Sequence, residues 1–228
     1  AMTVTKRDGS IELVSLDKIT NRVSVLSTGL SIDPIIVAQK AIPGLFNEIT
    51  TTEIDSYLAE TAAALTVEHP DYSNLAARIK ANALHKETPG FVIANKLLYE
   101  DGLLSQEYYN KVKDNTEIIE SIIDYDQDYN FDYFALTTLM RAYLLKYQGK
   151  VVERPQDLWM RVALTIASDE FSYEKVKHTY SALSRGYYTH ATPTLFNSGL
   201  KMQQLSSCFL IAMEDDSIEG IFNTIKDC

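Results

Sequence analysis

The chain has 228 residues, enough to bury one large core or two modest ones, and its 46% hydrophobic and 23% charged residues are ordinary for a globular protein. Asp and Glu (31) outnumber Lys and Arg (21), and the resulting net charge of −10 excludes a general nucleic-acid binder, which needs a basic footprint to displace counterions. No apolar run reaches the roughly 20 residues of a membrane helix and no signal-peptide pattern opens the chain, so a cytoplasmic setting without a membrane partner is expected.

In chain order, Val4 to Val14 reads as two short strands around Asp8-Gly9, a pair that suits a type I′ hairpin turn. A first helix carries Ile19, Val23 and Leu26 and stops near Gly29. A second opens at Asp33-Pro34, with proline at the first helical position, where its missing N–H is harmless. A third begins in Thr50-Thr51-Thr52-Glu53, a capping-box pattern, and runs through the Ala-rich stretch up to Leu65. A fourth runs from Asp71 through Leu75, Ile79 and Leu84 towards Lys86. Together these predict a hairpin lid on a small helical bundle over 1–88.

Glu87-Thr88-Pro89-Gly90 is a breaker after a long helical pattern and reads as a domain boundary. Beyond it the chain is more acidic and rich in tyrosine. Asp124–Phe134 alternates acids and aromatics, predicting one packed and one solvated face. Helices are predicted over 134–147, 155–168 and 172–186. A looped segment, Thr189 to Asn197, precedes Gln204–Met213, which reads as a buried strand, and Asp215-Asp216-Ser217 starts a last helix carrying Ile218, Ile221 and Ile225.

Three places could carry chemistry. Lys6 and Arg7 beside a tight turn form either a solvated turn or a phosphate clamp, in which paired cations and free N–H groups meet an anion. Cys208, in a predicted buried strand, is either a small hydrophobe or, given Ser206 and Ser207 before it, part of a pocket floor. Asp216 and Ser217 either cap their helix or present its end to a nucleotide. Cys208 and Cys228 are too separated for a CxxC pair, and the four histidines show no ligand spacing, so no metal site is expected in this chain.

In combination these segments resemble one family, the large subunit of class I ribonucleotide reductase. Val4-Thr5-Lys6-Arg7-Asp8-Gly9 with Leu16-Asp17-Lys18-Ile19-Thr20 resembles the start of its ATP-cone, and His69-Pro70-Asp71-Tyr72 with Leu75-Ala76-Ala77-Arg78-Ile79 its last cone helix. Glu153-Arg154-Pro155-Gln156 and Met160-Arg161-Val162-Ala163 resemble the helical region before the catalytic barrel. Thr189–Asn197, Leu205-Ser206-Ser207-Cys208-Phe209-Leu210 and Asp215–Ile221 resemble the first barrel elements. The similarity is collinear, spans nearly the whole chain and is thinnest at 90–120.

The resemblance implies a mainly α fold with short β: an ATP-cone over 1–89 (a hairpin lid on a four-helix bundle), a helical domain over 90–188, and over 189–228 the first strand and helix of a ten-stranded α/β barrel. It implies radical reduction of ribonucleoside diphosphates under control by ATP and dATP, bound with magnesium. Effector binding falls on Lys6, Arg7, Glu12, Leu13, Val14, Ser15, Leu16, Asp17, Lys18, Thr51, Asp55 and Lys86. Thr192 and Ser207 are assigned to the substrate, Thr192 keeping the hydroxyl of the Ser found in many relatives. Cys208 is implied as one of two thiols oxidised as the 2′-hydroxyl leaves. Asp216, Ser217 and Ile218 fall at a specificity site on a dimer interface.

The family's remaining catalytic residues lie later in its sequence, so a truncated or split subunit is expected, one that binds nucleotide but does not catalyse alone. Its expected partners are the rest of the large subunit, a second large subunit, a radical-generating small subunit and a thioredoxin- or glutaredoxin-type reductant. Two other readings remain open. One is a non-catalytic nucleotide-sensing cone, as in a repressor family with a zinc ribbon, whose cysteines this chain lacks at the required places. The other is a cobalamin-dependent reductase.

Overall fold

The computed structural model describes residues 1–167, 170–186 and 198–201, which divide into two compact units. The first comprises 1–84 and 129–136, the second 85–128 and 137 onward. The barrel strand and helix expected beyond 204 lie outside the described residues.

In the first unit β1 (Thr3–Thr5) pairs antiparallel with β2 (Ile11–Leu13), Val4 opposite Glu12. The hairpin differs from its expected type. A type I′ turn needs positive φ at both central residues, yet of Asp8 and Gly9 only Gly9 is positive, at 86°. The loop instead holds three residues, Arg7–Gly9, closed by Lys6 N–H donating to Ser10 O (2.8 Å) and Gly9 N–H to Lys6 O (3.0 Å). The cause is local: Asp8 accepts from the Ser10 N–H (2.9 Å) and hydroxyl (2.6 Å), an Asx-type brace satisfied without left-handed backbone at Asp8. The Ser10 hydroxyl also holds the exposed Asp8 carboxyl below its usual range.

Helices α1 (Leu16–Leu26), α2 (Pro34–Ala41), α3 (Thr51–Ala64) and α4 (Asp71–Glu87) follow. Their starts obey the signals in the sequence. Asp33 accepts from the Ile35 N–H (3.0 Å) with Pro34 just inside α2. Thr50 and Glu53 close a reciprocal capping box on α3. Not anticipated was β3 (Ile49–Thr50), which pairs parallel with β1 and makes the sheet three-stranded, in the order β2-β1-β3. Its position puts the first turn of α3 beside the hairpin loop. Val23, Val37, Leu58, Leu75 and Ile79 fill the core beneath, each worth about 1.5–3 kcal/mol of transfer free energy when fully buried. Arg78 of α4 donates to the Leu26 and Thr28 carbonyls (2.9 and 2.7 Å), satisfying groups that the end of α1 leaves open.

The second unit contains α5 (Phe91–Glu100), α6 (Gln106–Asp114) and α7 (Thr116–Ile122), opened by Gly90 at φ 96°. A 3₁₀ stretch (Tyr125–Asn130) follows, and α8 (Tyr133–Thr138), whose first four residues group with the first unit, leads into a π-helical turn, Leu139–Tyr143. The helix predicted over 134–147 therefore ends early. Gln148 (φ 51°) and Gly149 (φ 79°) form a two-residue turn with both central residues positive, the geometry expected at Asp8-Gly9. That turn recruits Lys146–Tyr147 (β4) to pair with Lys150–Val151 (β5), so 146–147 is strand. Helices α9 (Pro155–Ile166) and α10 (Tyr173–Ser184) match the last two predicted segments. The acid–aromatic stretch splits by face, against intuition: Asp128 is buried while Phe134 is exposed.

Candidate functional site

The hairpin loop, α1 and α3 of the first unit converge on Asp55. This carboxylate lies on α3 next to Ile54 and three residues before Leu58, on the helix's core face, and is only 2% exposed. A charge so placed needs partners. Arg7 of the loop donates to Asp55 Oδ2 (2.7 Å), and Arg22 of α1 donates to Oδ1. Arg22 also donates to Asn82 Oδ1 on α4 (3.0 Å), and Asn82 in turn donates to the Tyr129 hydroxyl (3.3 Å). A second cluster joins the hairpin to α1, where Lys6 and Lys18 both lie 3.9 Å from Glu12. Each carboxylate is thus outnumbered two to one by cations. The buried Arg22 Nε has no hydrogen-bond partner among the described residues, a donor that an added acceptor would satisfy.

The other expected effector residues of the first unit lie on or beside β2, the start of α1 and the start of α3. Ser15 caps α1, accepting from the Lys18 N–H (3.3 Å), and the Val14 N–H donates to Met2 O (2.9 Å). Leu13 and Leu16 are exposed apolar side chains flanking that cap, and Asp17 lies in the first turn of α1. Thr51, at the start of α3, donates to Thr5 O (3.3 Å) through its hydroxyl. Lys86 is exposed in the last turn of α4, in the part of the helix that groups with the second unit. Thr192, Ser207, Cys208, Asp216, Ser217 and Ile218 lie outside the described residues.

Arg22, Asn82 and Tyr129 were missed from the sequence. The available signal was Asp55 itself: an acid on the apolar stripe of a helix requires a cation, and Arg22 adjoins the core residue Val23.

The second unit buries a polar cluster centred on Glu153–Arg161. Glu153 and Arg161 are fully buried and paired by two parallel bonds, Nε to Oε2 (2.9 Å) and Nη2 to Oε1 (3.0 Å). Glu153 also accepts from the Leu145 N–H (2.8 Å), and Arg161 Nη1 donates to Ser198 O (2.9 Å). Asp157 accepts from the Tyr125 hydroxyl (2.6 Å) and the Arg154 N–H (2.9 Å); burial pushes its carboxyl up to about 7. Burial likewise raises Asp128, which meets His85 Nε2 at 2.7 Å and accepts from the Gln156 N–H (3.1 Å). Arg154 lies over the Tyr125 ring at 4.6 Å and donates to the Thr88 hydroxyl and carbonyl (2.8 and 2.7 Å). The polar residues in Glu-Arg-Pro-Gln therefore organise the interior of this unit. Among the described residues no group of three His, Cys, Asp or Glu could hold a metal ion, and no helix is long and apolar enough to cross a membrane.

Residues 2–87 match the ATP cone domain family, and residues 129–203 match the family described as ribonucleotide reductase, all-alpha domain. Over its full length the chain is 46% identical to the ribonucleoside-diphosphate reductase large subunit of Arabidopsis thaliana. The chain is thus similar along its whole length to part of ribonucleotide reductase large subunits. It is also 47% identical to large chain 2 of Saccharomyces cerevisiae and 44% to the large subunit of Variola virus, again over the whole chain. It spans 29%, 27% and 31% of those three relatives. The Asp55 cluster lies in the segment that matches the ATP cone domain, and the Glu153–Arg161 cluster in the segment that matches the all-alpha domain.

Proposed function

We propose that this chain supplies the effector-binding cone, the helical region and the opening of the catalytic part of a class I ribonucleoside-diphosphate reductase large subunit. The carrying observation is that a cone match and a reductase all-alpha match follow one another in a chain 46% identical throughout to such a subunit. The cone binds ATP or dATP, with magnesium, and its site includes Lys6, Arg7, Glu12 to Lys18, Thr51 and Asp55. The paired guanidiniums on Asp55 and the paired ammoniums on Glu12 support this assignment, since a triphosphate is a polyanion recognised by such donors. Lys86 belongs to the same reading.

In the catalytic part, Thr192 and Ser207 hold the substrate. Cys208 and a second thiol carried elsewhere are oxidised to a disulfide; of the two hydrogens they give up, one leaves with the 2′-hydroxyl as water when the C–O bond breaks and the other is matched by the new C2′–H bond. Exchange with thioredoxin or glutaredoxin restores the thiols. Asp216, Ser217 and Ile218 contact the specificity effector across the large-subunit dimer. The radical comes from a separate small subunit.

Calorimetry of the chain with ATP and dATP tests the cone: both bind, and Asp55→Asn changes the ratio of the two affinities. No binding to the folded wild type refutes the effector site. Combined with the remaining large-subunit polypeptide, small subunit and thioredoxin, the wild type reduces ribonucleoside diphosphates and Cys208→Ser does not. Nucleotide binding without reduction in that assembly leaves only the non-catalytic sensor.

A further inference from the structure

The Glu153–Arg161 pair is more polar apparatus than a helical core needs. Fully buried ion pairs are seldom better for stability than apolar residues of the same volume, so the presence of this one calls for a task. The task is visible in what Arg161 holds. Its guanidinium is oriented by two bonds to Glu153, and Nη1 is thereby aimed at the Ser198 carbonyl (2.9 Å). Ser198 is 2% exposed, and the residues after it are gripped from another side. Ser105 N–H donates to Gly199 O (2.8 Å), Lys201 N–H donates to Leu103 O (3.2 Å), and Leu200 pairs antiparallel with Leu104. Gly199, at φ 77°, lies so close to Tyr108 that an added Cβ would come within 2.7 Å of the ring. Tyr108 is itself fixed, its hydroxyl donating to the buried Asn95 (2.8 Å). Four successive residues are therefore seated in a rigid cradle built by α5, α6 and α9.

The place of that cradle in the sequence gives it meaning. Thr192 lies six residues before Ser198, and Ser207 and Cys208 lie nine and ten after it. We infer that Arg161, oriented by Glu153, is a positioning residue for the reduction: it anchors Ser198–Lys201, the stretch of chain between Thr192 and Cys208, and the reaction depends on that anchor. The inference rests on the reading of Thr192, Ser207 and Cys208 under Proposed function, and it adds a residue that touches neither substrate nor thiol. An Arg is suited to it because one planar fork can satisfy a carboxylate and still direct a third donor elsewhere, which a lysine ammonium does less rigidly.

The test uses Glu153→Gln/Arg161→Met, which removes both charges together, keeps an acceptor for the Leu145 N–H and leaves no lone buried ion. Arg161→Lys is the conservative companion. Two readouts are taken. Hydrogen exchange on the chain should rise tenfold or more at the Ser105 and Lys201 amides in the double variant, with α3 amides of the cone unchanged. In the assembled reductase, kcat should fall tenfold or more while substrate KM and ATP affinity stay within threefold, with Arg161→Lys between the two. Unchanged exchange overturns the anchor. Raised exchange with normal kcat overturns the positioning role and leaves a structural one. A parallel loss of cone binding, or loss of the folded double variant when Arg161→Lys is fully active, does the same. Absence of reduction by the wild-type assembly instead removes the proposed function, and the inference with it, whatever the exchange shows.

Discussion

Asp157→Asn isolates a buried carboxyl whose protonation is coupled to folding. Asp157 is fully buried in the first turn of α9, and its neighbours are Tyr125, Arg154, Glu153 and Asp128. Burial is the largest influence and raises the group; the Tyr125 hydroxyl and Arg154 N–H bonds lower it, and the nearby Glu153 and Asp128 charges raise it. The outcome is a carboxyl displaced from the ordinary 3.8 to about 7. At about 1.4 kcal/mol per tenfold change in proton affinity, that displacement corresponds to about 4 kcal/mol at most. The sign follows from proton counting. Between pH 4 and 7 the folded state holds a proton that the unfolded state has lost, so stability declines as pH rises through this window. The favourable contribution of the neutral acid is complete below 3.8 and gone above about 7. The substituted amide would be neutral at every pH. Its oxygen can accept from the Arg154 N–H while its NH₂ donates to the Tyr125 oxygen, leaving a pH-independent offset of about 1 kcal/mol either way. Urea denaturation followed by Trp159, the sole tryptophan, reads the helical unit directly because Trp159 is buried in α9. The variant's stability relative to wild type should climb by about 3 kcal/mol, from about 1 kcal/mol at pH 4.5 to about 4 kcal/mol at pH 8, both shifted equally by that offset. A difference flat within about 1 kcal/mol across this range would show that the carboxylate is ionised at ordinary pH and refute the reasoning.

Three further outcomes are expected. Thr50→Ala breaks the capping box of α3 and should cost the cone about 1 kcal/mol, measured by chemical denaturation. Gly9→Ala meets open space and should cost about 1 kcal/mol from its positive φ alone, whereas Gly199→Ala meets the Tyr108 ring as well and should cost clearly more; equal losses would remove the close approach at Gly199. Leu75→Ala empties a fully buried site in the cone core and should cost about 2–5 kcal/mol, lowering the cone's melting temperature without changing Trp159 emission at low temperature.

Much of the secondary structure was legible because its signals are local. Asp33-Pro34 and Thr50 with Glu53 act through bonds spanning two or three residues, so the starts of α2 and α3 follow from the chain alone. The apolar spacing of Leu75, Ile79 and Leu84 likewise marks the buried face of α4. Family resemblance singled out the segment that matches the cone family, and within it Lys6, Arg7 and Asp55 as expected effector residues. Local rules failed where a neighbouring side chain or strand competed with them. Asp8-Gly9 looked like a two-residue turn until Ser10 offered Asp8 an alternative brace, and Lys146–Tyr147 read as helix until the Gln148-Gly149 turn paired it with Lys150–Val151.

By itself, then, the sequence determined where α2 and α3 begin, which face of α4 is apolar, and which family the segments resemble, because each of those is written in short runs of residues. Only the tertiary structure decided that Ile49–Thr50 forms a parallel strand, that Asp55 meets both Arg7 and Arg22, and that Arg161 reaches Ser198. Those partners stand 33 to 48 residues apart in the chain. Burial brings them together: a charge or an open strand edge removed from water must find its partner wherever the packed core presents one, and no short-range pattern records which partner that is.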